Sequence, residues 1–303
     1  MRRFALPDMC GVRPLHESSH VKGSDPAHLG DESDVRLSDA ELSRIVRLVY
    51  QRSGITLHAG KRALVLARLQ KRLRAGGFAS FRDYLAHVEA DASGAEITAL
   101  LDAIATNHTS FFREPQHFEF LRSMVVPKLA TGNIRIWSAA CSSGEEPVTI
   151  GITLLDALES HHHGRIRILG SDLSTKALAV ASSGVYKMER VANIPLDVLR
   201  RHFERGLGAQ TGQARVAAHV RRLIEYRQLN LLEASDIGER FEVIFCRNVM
   251  IYFDRDVQQR VVSLLEHHLT PGGYLFISHS ESLNGTAHGL RWVAPAIYQR
   301  PSR

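Results

Sequence analysis

Between Ile134 and Pro147 the chain reads Ile-Arg-Ile-Trp-Ser-Ala-Ala-Cys-Ser-Ser-Gly-Glu-Glu-Pro. Ser138 to Ser143 are all small, and only small side chains let a ligand come close to the backbone. Glu145 and Glu146 stand where a helix should begin, with Pro147 at its start. No Gly-x-Gly-x-x-Gly is present. A pyrophosphate at that helix terminus would meet negative charge instead of bare N–H groups. A dinucleotide or triphosphate is therefore disfavoured and a cationic ligand favoured. S-adenosylmethionine, which carries a sulfonium and an ammonium, is such a ligand.

Asp172 follows a second apolar run, Ile166 to Gly170, at the place where nucleotide-binding α/β folds put a carboxylate for ribose hydroxyls. The competing reading is a helix N-cap, for which Ser174 is the more natural residue. Asn230 and Leu231 follow a polar strand-like segment, Tyr226 to Leu229, and could bracket an adenine ring. Arg247-Asn248-Val249-Met250-Ile251-Tyr252-Phe253 leaves the end of a buried strand, where open α/β sheets hold their ligands. Enzymes that methylate base amines often carry Pro-Pro in this position. Val249 and Met250 stand here instead, which disfavours that chemistry. Cys141 has no evident partner base and reads as a small turn residue. The three cysteines form no C-x-x-C pair, and three successive histidines, His161 to His163, cannot all face one ion, so no metal site is expected.

These residues need a scaffold. The spacing from Ile134 onward alternates strands and helices: Ile134 to Trp137, a helix after Pro147, Ile166 to Gly170, a helix from Ser174, Phe241 to Phe245, a helix from Asp254 to Leu269, a Pro271-Gly272-Gly273 turn, and Tyr274 to Ser278. That alternation predicts a parallel, doubly wound sheet. Between Lys187 and Tyr226 it breaks, and Gly206, Gly208 and Gly212 precede a short alternation, so residues 187–226 are expected to form a small inserted antiparallel sub-domain. Upstream lies an all-helical module. Ser38 with Glu41 makes a capping box for a helix ended by Gly54. A second helix, Lys61 to Gly76, has a buried stripe of Leu66, Leu69 and Leu73, with Lys61, Arg68 and Arg72 on another side and Lys71 and Arg74 nearby. Ser80 opens a third helix, and Ser93 with Glu96 a fourth. Thr106 to Pro115 reads as a structured linker. Residues 1–34 lack periodicity and are expected to be a disordered tail.

With 303 residues, 44% of them hydrophobic, the chain can bury a core in more than one domain. Arg2 and Arg3 are followed by too short an apolar run for a signal peptide, and no stretch nears the roughly 18 apolar residues that span a bilayer. A cytoplasmic protein without membrane insertion is expected. The net charge of +6 admits an acidic partner without choosing among them.

Thr106 to Glu114, Trp137 through Pro147, and Phe245 to Phe253, with His279-Ser280-Glu281 as a weaker fourth stretch, resemble the chemotaxis receptor methyltransferases, the CheR family. The similarity runs from about Leu37 to Arg300. It implies a helical receptor-docking domain (35–106) and a Rossmann-like S-adenosylmethionine-dependent methyltransferase domain (107–303) with an inserted β sub-domain. It implies methyl transfer to glutamate side chains of chemoreceptors, leaving S-adenosylhomocysteine. Family cofactor contacts fall on Asn107, Thr109, Arg113, Glu145, Asp172, Asn230, Leu231, Arg247 and Asn248, and Arg113 and Tyr252 lie nearest the reacting methyl. Ser143 and Val148 replace a common threonine and tyrosine beside the cofactor loop.

By the same resemblance Lys61, Arg68 and Arg72 become a docking face for acidic methylation helices. Gly206-Leu207-Gly208 looks like the insertion of members that bind a receptor's C-terminal tail peptide as an added strand, the alternative being a turn that needs glycine. A glutamate, with a reference pKa of about 4.3, is already a nucleophilic carboxylate at neutral pH and needs no general base. Two rival functions remain: a methyltransferase acting on nucleic acid or another protein, and a signalling module that binds the cofactor without turnover. No nucleic-acid partner is expected.

Overall fold

The computed structural model describes residues 4–5, 36–105, 108–129, 132–234 and 237–302. The first strand, β1, is Phe4–Ala5. Four helices then form the N-terminal module: α1 (Asp39–Ser53), α2 (Arg62–Gly76), α3 (Phe81–Ala90) and α4 (Ala95–Ile104). Ser38 and Glu41 close the expected capping box on α1, and Gly54 ends it at φ 71°. Ile45, Val49, Leu69, Leu73, Phe81 and Leu85 pack together as the module's core.

Three expectations for the module change. The buried stripe of α2 contains Val65, Leu69 and Leu73, with Leu66 only half-buried. Ser93 is not the cap of α4. Gly94 holds that place in a left-handed conformation, Asp91 Oδ2 accepts from Glu96 N–H at 2.7 Å, and the Glu96 carboxylate is buried. The basic docking face is divided. Arg72 pairs with Glu96, with Nε to Oε1 at 2.8 Å, and Arg68 Nη1 donates to the carbonyls of Ile104 and Ala105. A helix leaves its last carbonyls without internal donors, and Arg68 supplies one at the end of α4. Two of the three cations thus join α2 to α4.

Helix α5 (Pro115–Phe120), continued by a π turn, leads into the α/β domain. Its elements are β2 (Ile134–Ala139), α6 (Glu145–Ala157), β3 (Ile166–Asp172), α7 (Thr175–Ser183) and then the insertion. This comprises β4 (Val185–Lys187), α8 (Met188–Val191), α9 (Leu196–His202), β5 (Phe203–Gly206), β6 (Gln213–Val216) and α10 (Ala218–Arg221). The domain resumes with β7 (Ile224–Gln228), β8 (Phe241–Cys246), α11 (Arg255–His268), β9 (Leu269–Phe276), β10 (Arg291–Ala294) and β11 (Ile297–Gln299). The seven-stranded sheet has the order β10-β11-β9-β8-β2-β3-β7. Strands β9 to β7 run parallel, β11 pairs antiparallel with β9, and β10 pairs antiparallel with β11. Trp137, Phe241, Ile244 and Leu265 fill one face, and Phe118, Ile150, Phe245 and Phe276 the other. The chain leaves β2 toward β3 on one side and returns to β8 on the other. Ala139 and Cys246, the last residues of β2 and β8, are register partners, so the crevice opens between them.

The small sheet has the order β1-β5-β6-β4 and is antiparallel throughout. The insertion begins at Val185 and ends before Ile224. Residues 224–226, expected inside it, belong to β7, which pairs parallel with β3 from Ile168↔Ile224 to Asp172↔Gln228. Alternation at Ile224 and Tyr226 identifies a strand but does not say which sheet receives it. Gly206 and Gly208 serve the β5–β6 turn: a Cβ on Gly206 would lie 2.0 Å from Gln210 O, and Gly208 has φ 58°. The β5 edge pairs with this chain's own Phe4 and Ala5, opposite Gly206 and Arg205. That pairing also corrects the reading of a wholly disordered tail. The rest of that expectation, residues 1–3 and 6–34, lies outside the described residues.

Gly144 joins β2 to α6 at φ 93°, and a Cβ there would lie 2.7 Å from Ala181 Cβ and 2.9 Å from Ala181 Cα in α7. Gly144→Ala is expected to cost about 1–2 kcal/mol from the left-handed backbone alone, plus displacement of α7. Thermal unfolding should show a lowered midpoint. An unchanged midpoint would mean that the turn relaxes freely.

Candidate active site

The turn after β2 is built from left-handed residues: Ala140 at φ 62°, Ser142 at φ 51° and Gly144 at φ 93°. Cys141 N donates to Ser171 O at 2.8 Å, which folds the turn back over the end of β3. Asp172 then receives one backbone N–H on each oxygen, Ser142 N on Oδ2 at 2.7 Å and Ser174 N on Oδ1 at 2.8 Å. Burial raises the pKa of this carboxyl, and the two N–H donors oppose the rise. Ser174 caps α7, so the capping role belongs to Ser174 and Asp172 lines the cleft. Each Asp172 oxygen retains capacity for another hydrogen bond. Cys141 and Cys246 are buried, and burial pushes both thiols well up, so neither is an activated nucleophile.

Glu145 and Glu146 occupy the first turn of α6 and diverge. The Glu145 side chain is fully buried, pairs with Arg190 and accepts from Ser143 Oγ at 2.8 Å, fastening the turn to α8. It is not among the cleft-lining residues, contrary to the expectation of a cofactor contact; Glu146 is. Successive helical residues point about 100° apart, so only one of an adjacent pair can face the ligand. Glu146 accepts from Ser138 Oγ at 2.7 Å and from Arg247 Nη1 at 3.0 Å. Burial raises its pKa, and Arg247 and Ser138 pull the other way.

Arg247 and Asn248 line the cleft, and each side chain also bonds within the protein, while Arg247 Nε is buried without a partner. The Arg247 side chain is 2% exposed and lies between Glu146 and Glu114, and its Nη2 also donates to Arg113 O at 2.5 Å. Asn248, at φ 60°, donates from Nδ2 to Ser278 Oγ at 2.7 Å and from its backbone to Glu281 Oε2 at 3.0 Å. Glu281 also accepts from Met250 N, which shapes the loop that presents Tyr252.

The helical module forms the opposite wall. Thr56 N donates to Tyr252 O at 2.8 Å, Ile55 bridges Phe253, Tyr50 Oη donates to Asp254 Oδ2 at 2.6 Å, and Asn230 Nδ2 donates to Arg52 O at 2.6 Å. Lys61 Nζ sits 5.8 Å from the Tyr252 ring centroid, so this member of the basic trio is on the cleft wall. Thr109, Arg113, Asn230, Leu231 and Tyr252 also line the cleft. Thr109 and Arg113 belong to a strap, residues 108–114, held by Phe111 against Tyr186 and Phe203 and by Phe112 N donating to Thr149 Oγ1. Asn107 lies outside the described residues.

Sequence reasoning missed Thr56, Asp102, Ser142 and Glu146. Thr56 Oγ1, Asp102 Oδ1 and Ser142 Oγ are buried without a hydrogen-bond partner, and all three residues line the cleft. Buried polar atoms are rarely left unpaired, so the cleft is suited to a ligand with its own hydroxyls and amines. With the small left-handed turn and the Asp172 and Glu146 carboxylates, this matches a cationic nucleoside. Glu146 had a signal in the Glu-Glu-Pro triplet; Thr56 and Asp102 had none, because they reach the site through the packing of another domain.

The profile described as CheR methyltransferase, SAM binding domain, matches residues 107–296, and that described as CheR methyltransferase, all-alpha domain, matches residues 40–105. The chemotaxis protein methyltransferase of Salmonella typhimurium is 42% identical over 263 residues, spanning 86% of this chain and 90% of that protein. That of Klebsiella aerogenes is 43% identical over 263 residues, with the same 86% and 90% coverage. The Borreliella burgdorferi protein of the same name is 34% identical over 276 residues, covering 88% and 96%. The cofactor is S-adenosylmethionine, and the chain belongs to the CheR methyltransferase family.

Proposed function

We propose that this methyltransferase forms methyl esters on glutamate side chains in the acidic cytoplasmic helices of chemoreceptors, as an adaptation enzyme of chemotaxis signalling. The observation that carries the reading is the charge pattern of the cleft: Lys61, Arg113 and the Tyr252 phenol line it together with the buried Asp172 carboxylate and the internally paired Arg247 and Glu146. Bound S-adenosylmethionine supplies an electrophilic methyl group on a sulfonium. Asp172 is suited to take the ribose hydroxyls, and Asn230 and Leu231 to flank the adenine. Arg113 is suited to grip the incoming carboxylate by paired hydrogen bonds. A glutamate arrives ionised, so the residues need only align it and exclude water. Among the described residues no helix is long and apolar enough to cross a membrane, and the partner would be met at a surface.

Of the docking cations, Lys61 remains available on the cleft wall, while Lys71 and Arg74 are exposed on α2. Acidic helices would be drawn to this side at long range rather than held by a continuous basic face.

Incubating the enzyme with labelled S-adenosylmethionine and membranes carrying a methyl-accepting chemoreceptor should give base-labile label released as methanol. Stable N-methyl label, or none, would reject the ester. Arg113→Ala is expected to lower turnover by about a hundredfold or more, the loss of a charged hydrogen-bond pair of about 3 kcal/mol. Turnover within twofold of wild type would remove the clamp. Asp172→Ala should weaken cofactor affinity in calorimetry by roughly tenfold or more, equivalent to about 1.4 kcal/mol, whereas unchanged affinity would take Asp172 off the ribose. Raising ionic strength should increase KM for the receptor and leave kcat nearly constant; a salt-insensitive KM would count against charge-guided docking.

A further inference from the structure

Glu114 immediately follows Arg113 and takes no part in the functions assigned above. It adopts φ 57°, and Phe112 φ 54°, so Arg113 is flanked by two non-glycine residues in the left-handed region. Such residues persist only where the surroundings hold them. For Glu114 the hold is visible. Its Oε1 accepts from Ser278 Oγ at 2.7 Å, and its Oε2 from His279 N at 3.2 Å. His279 Nδ1 is 2.9 Å from the same Oε2, and Arg247 Nη2 is 3.4 Å away. His117 Nδ1, on a fully buried ring stacked against His279, is 3.5 Å distant.

These partners come from different parts of the site. Ser278 and His279 follow β9, and Arg247 follows β8. Ser278 Oγ also accepts from Asn248 Nδ2, so the loop that carries Tyr252 is tied to the same carboxylate. Among the described residues the Arg113 guanidinium has no comparable anchor, and its Nη1 donates to His108 O inside the strap at 2.9 Å. Its placement therefore depends on its backbone. That backbone is fixed on one side by Arg247 donating to Arg113 O and on the other by the Glu114 carboxylate.

We infer that Glu114 is a positioning residue for methyl transfer, locking the strap to the ends of β8 and β9 so that Arg113 meets the methyl acceptor in register. The inference rests on the reading of Arg113 as the acceptor clamp. The role requires an ionised carboxylate. Burial alone would raise its pKa, but the Ser278 hydroxyl, Arg247 and the His279 N–H outweigh burial and hold the carboxyl down at about 2. Displacing the strap by even an ångström would disturb alignment for displacement while leaving the Asp172 side of the cleft intact.

The test is a double-mutant cycle on the full chain. It combines labelled methyl transfer to chemoreceptor membranes, calorimetry with S-adenosylhomocysteine, and thermal unfolding as a check on folding. Glu114→Gln keeps the side-chain volume and removes the charge. It is expected to lower kcat at least tenfold while cofactor-product affinity stays within threefold. In the Arg113→Ala background the same change should alter the rate less than twofold, because the two residues act as one unit. Equal loss in both backgrounds, a parallel loss of affinity, or unchanged kcat would overturn the inference. Near-normal turnover of Arg113→Ala alone would instead remove the clamp on which it rests. Should Glu114→Gln not fold, Ser278→Ala, which deletes one hydrogen bond to Glu114, must show a smaller loss of kcat with the same non-additivity, and additivity there also overturns it.

Discussion

The site is organised around a buried cation. Arg247 has almost no solvent exposure, and it is tolerable there because Glu146 and Glu114 meet its two ends. A buried ion pair contributes little net stability, but removing one partner leaves an uncompensated charge in a low-dielectric setting. Three segments must therefore arrive together: the start of α6 with Glu146, the end of β8 with Arg247, and the strap with Glu114. The reversal of strand order between β2 and β8 creates the crevice, and the Glu–Arg–Glu triad closes it to one width.

The helical module is a wall of the same crevice and not only an attachment beside it. Thr56 is bonded to Tyr252, Arg52 to Asn230, and Tyr50 to Asp254. Cleft-lining residues such as Asp102 come from α4. The Asn230 and Tyr252 sides of the cleft thus share one set of inter-domain hydrogen bonds.

Much of the self-contained local chemistry was legible in the sequence, though the Ser93–Glu96 pattern misplaced the cap of α4, which Gly94 holds. The Ser38–Glu41 capping box, the glycine stop at Gly54, the small turn after β2 and the order of strands and helices all rest on neighbours a few residues apart. What was not legible depended on distant partners. Arg68 and Arg72 read as a free basic face because their acceptors, the end of α4 and Glu96, lie some thirty residues away in the chain. Glu145 and Glu146 are chemically identical, and only the placement of Arg190 and Arg247 tells which one lines the cleft. The segment at Ile224 alternates as a strand should, yet pairing with β3 rather than β6 is a matter of topology. For the same reason the wall formed by Thr56 and Asp102 left no trace in local pattern.

The small sheet carries a consequence of its own. An open strand edge offers unsatisfied N–H and C=O groups to any extended peptide, including another molecule of the same protein. Here the β5 edge is paired with residues of the same polypeptide, Phe4 and Ala5. A tethered partner has a fixed effective concentration, so the edge stays shielded however dilute the protein, and an incoming segment has to win an exchange rather than fill a vacancy.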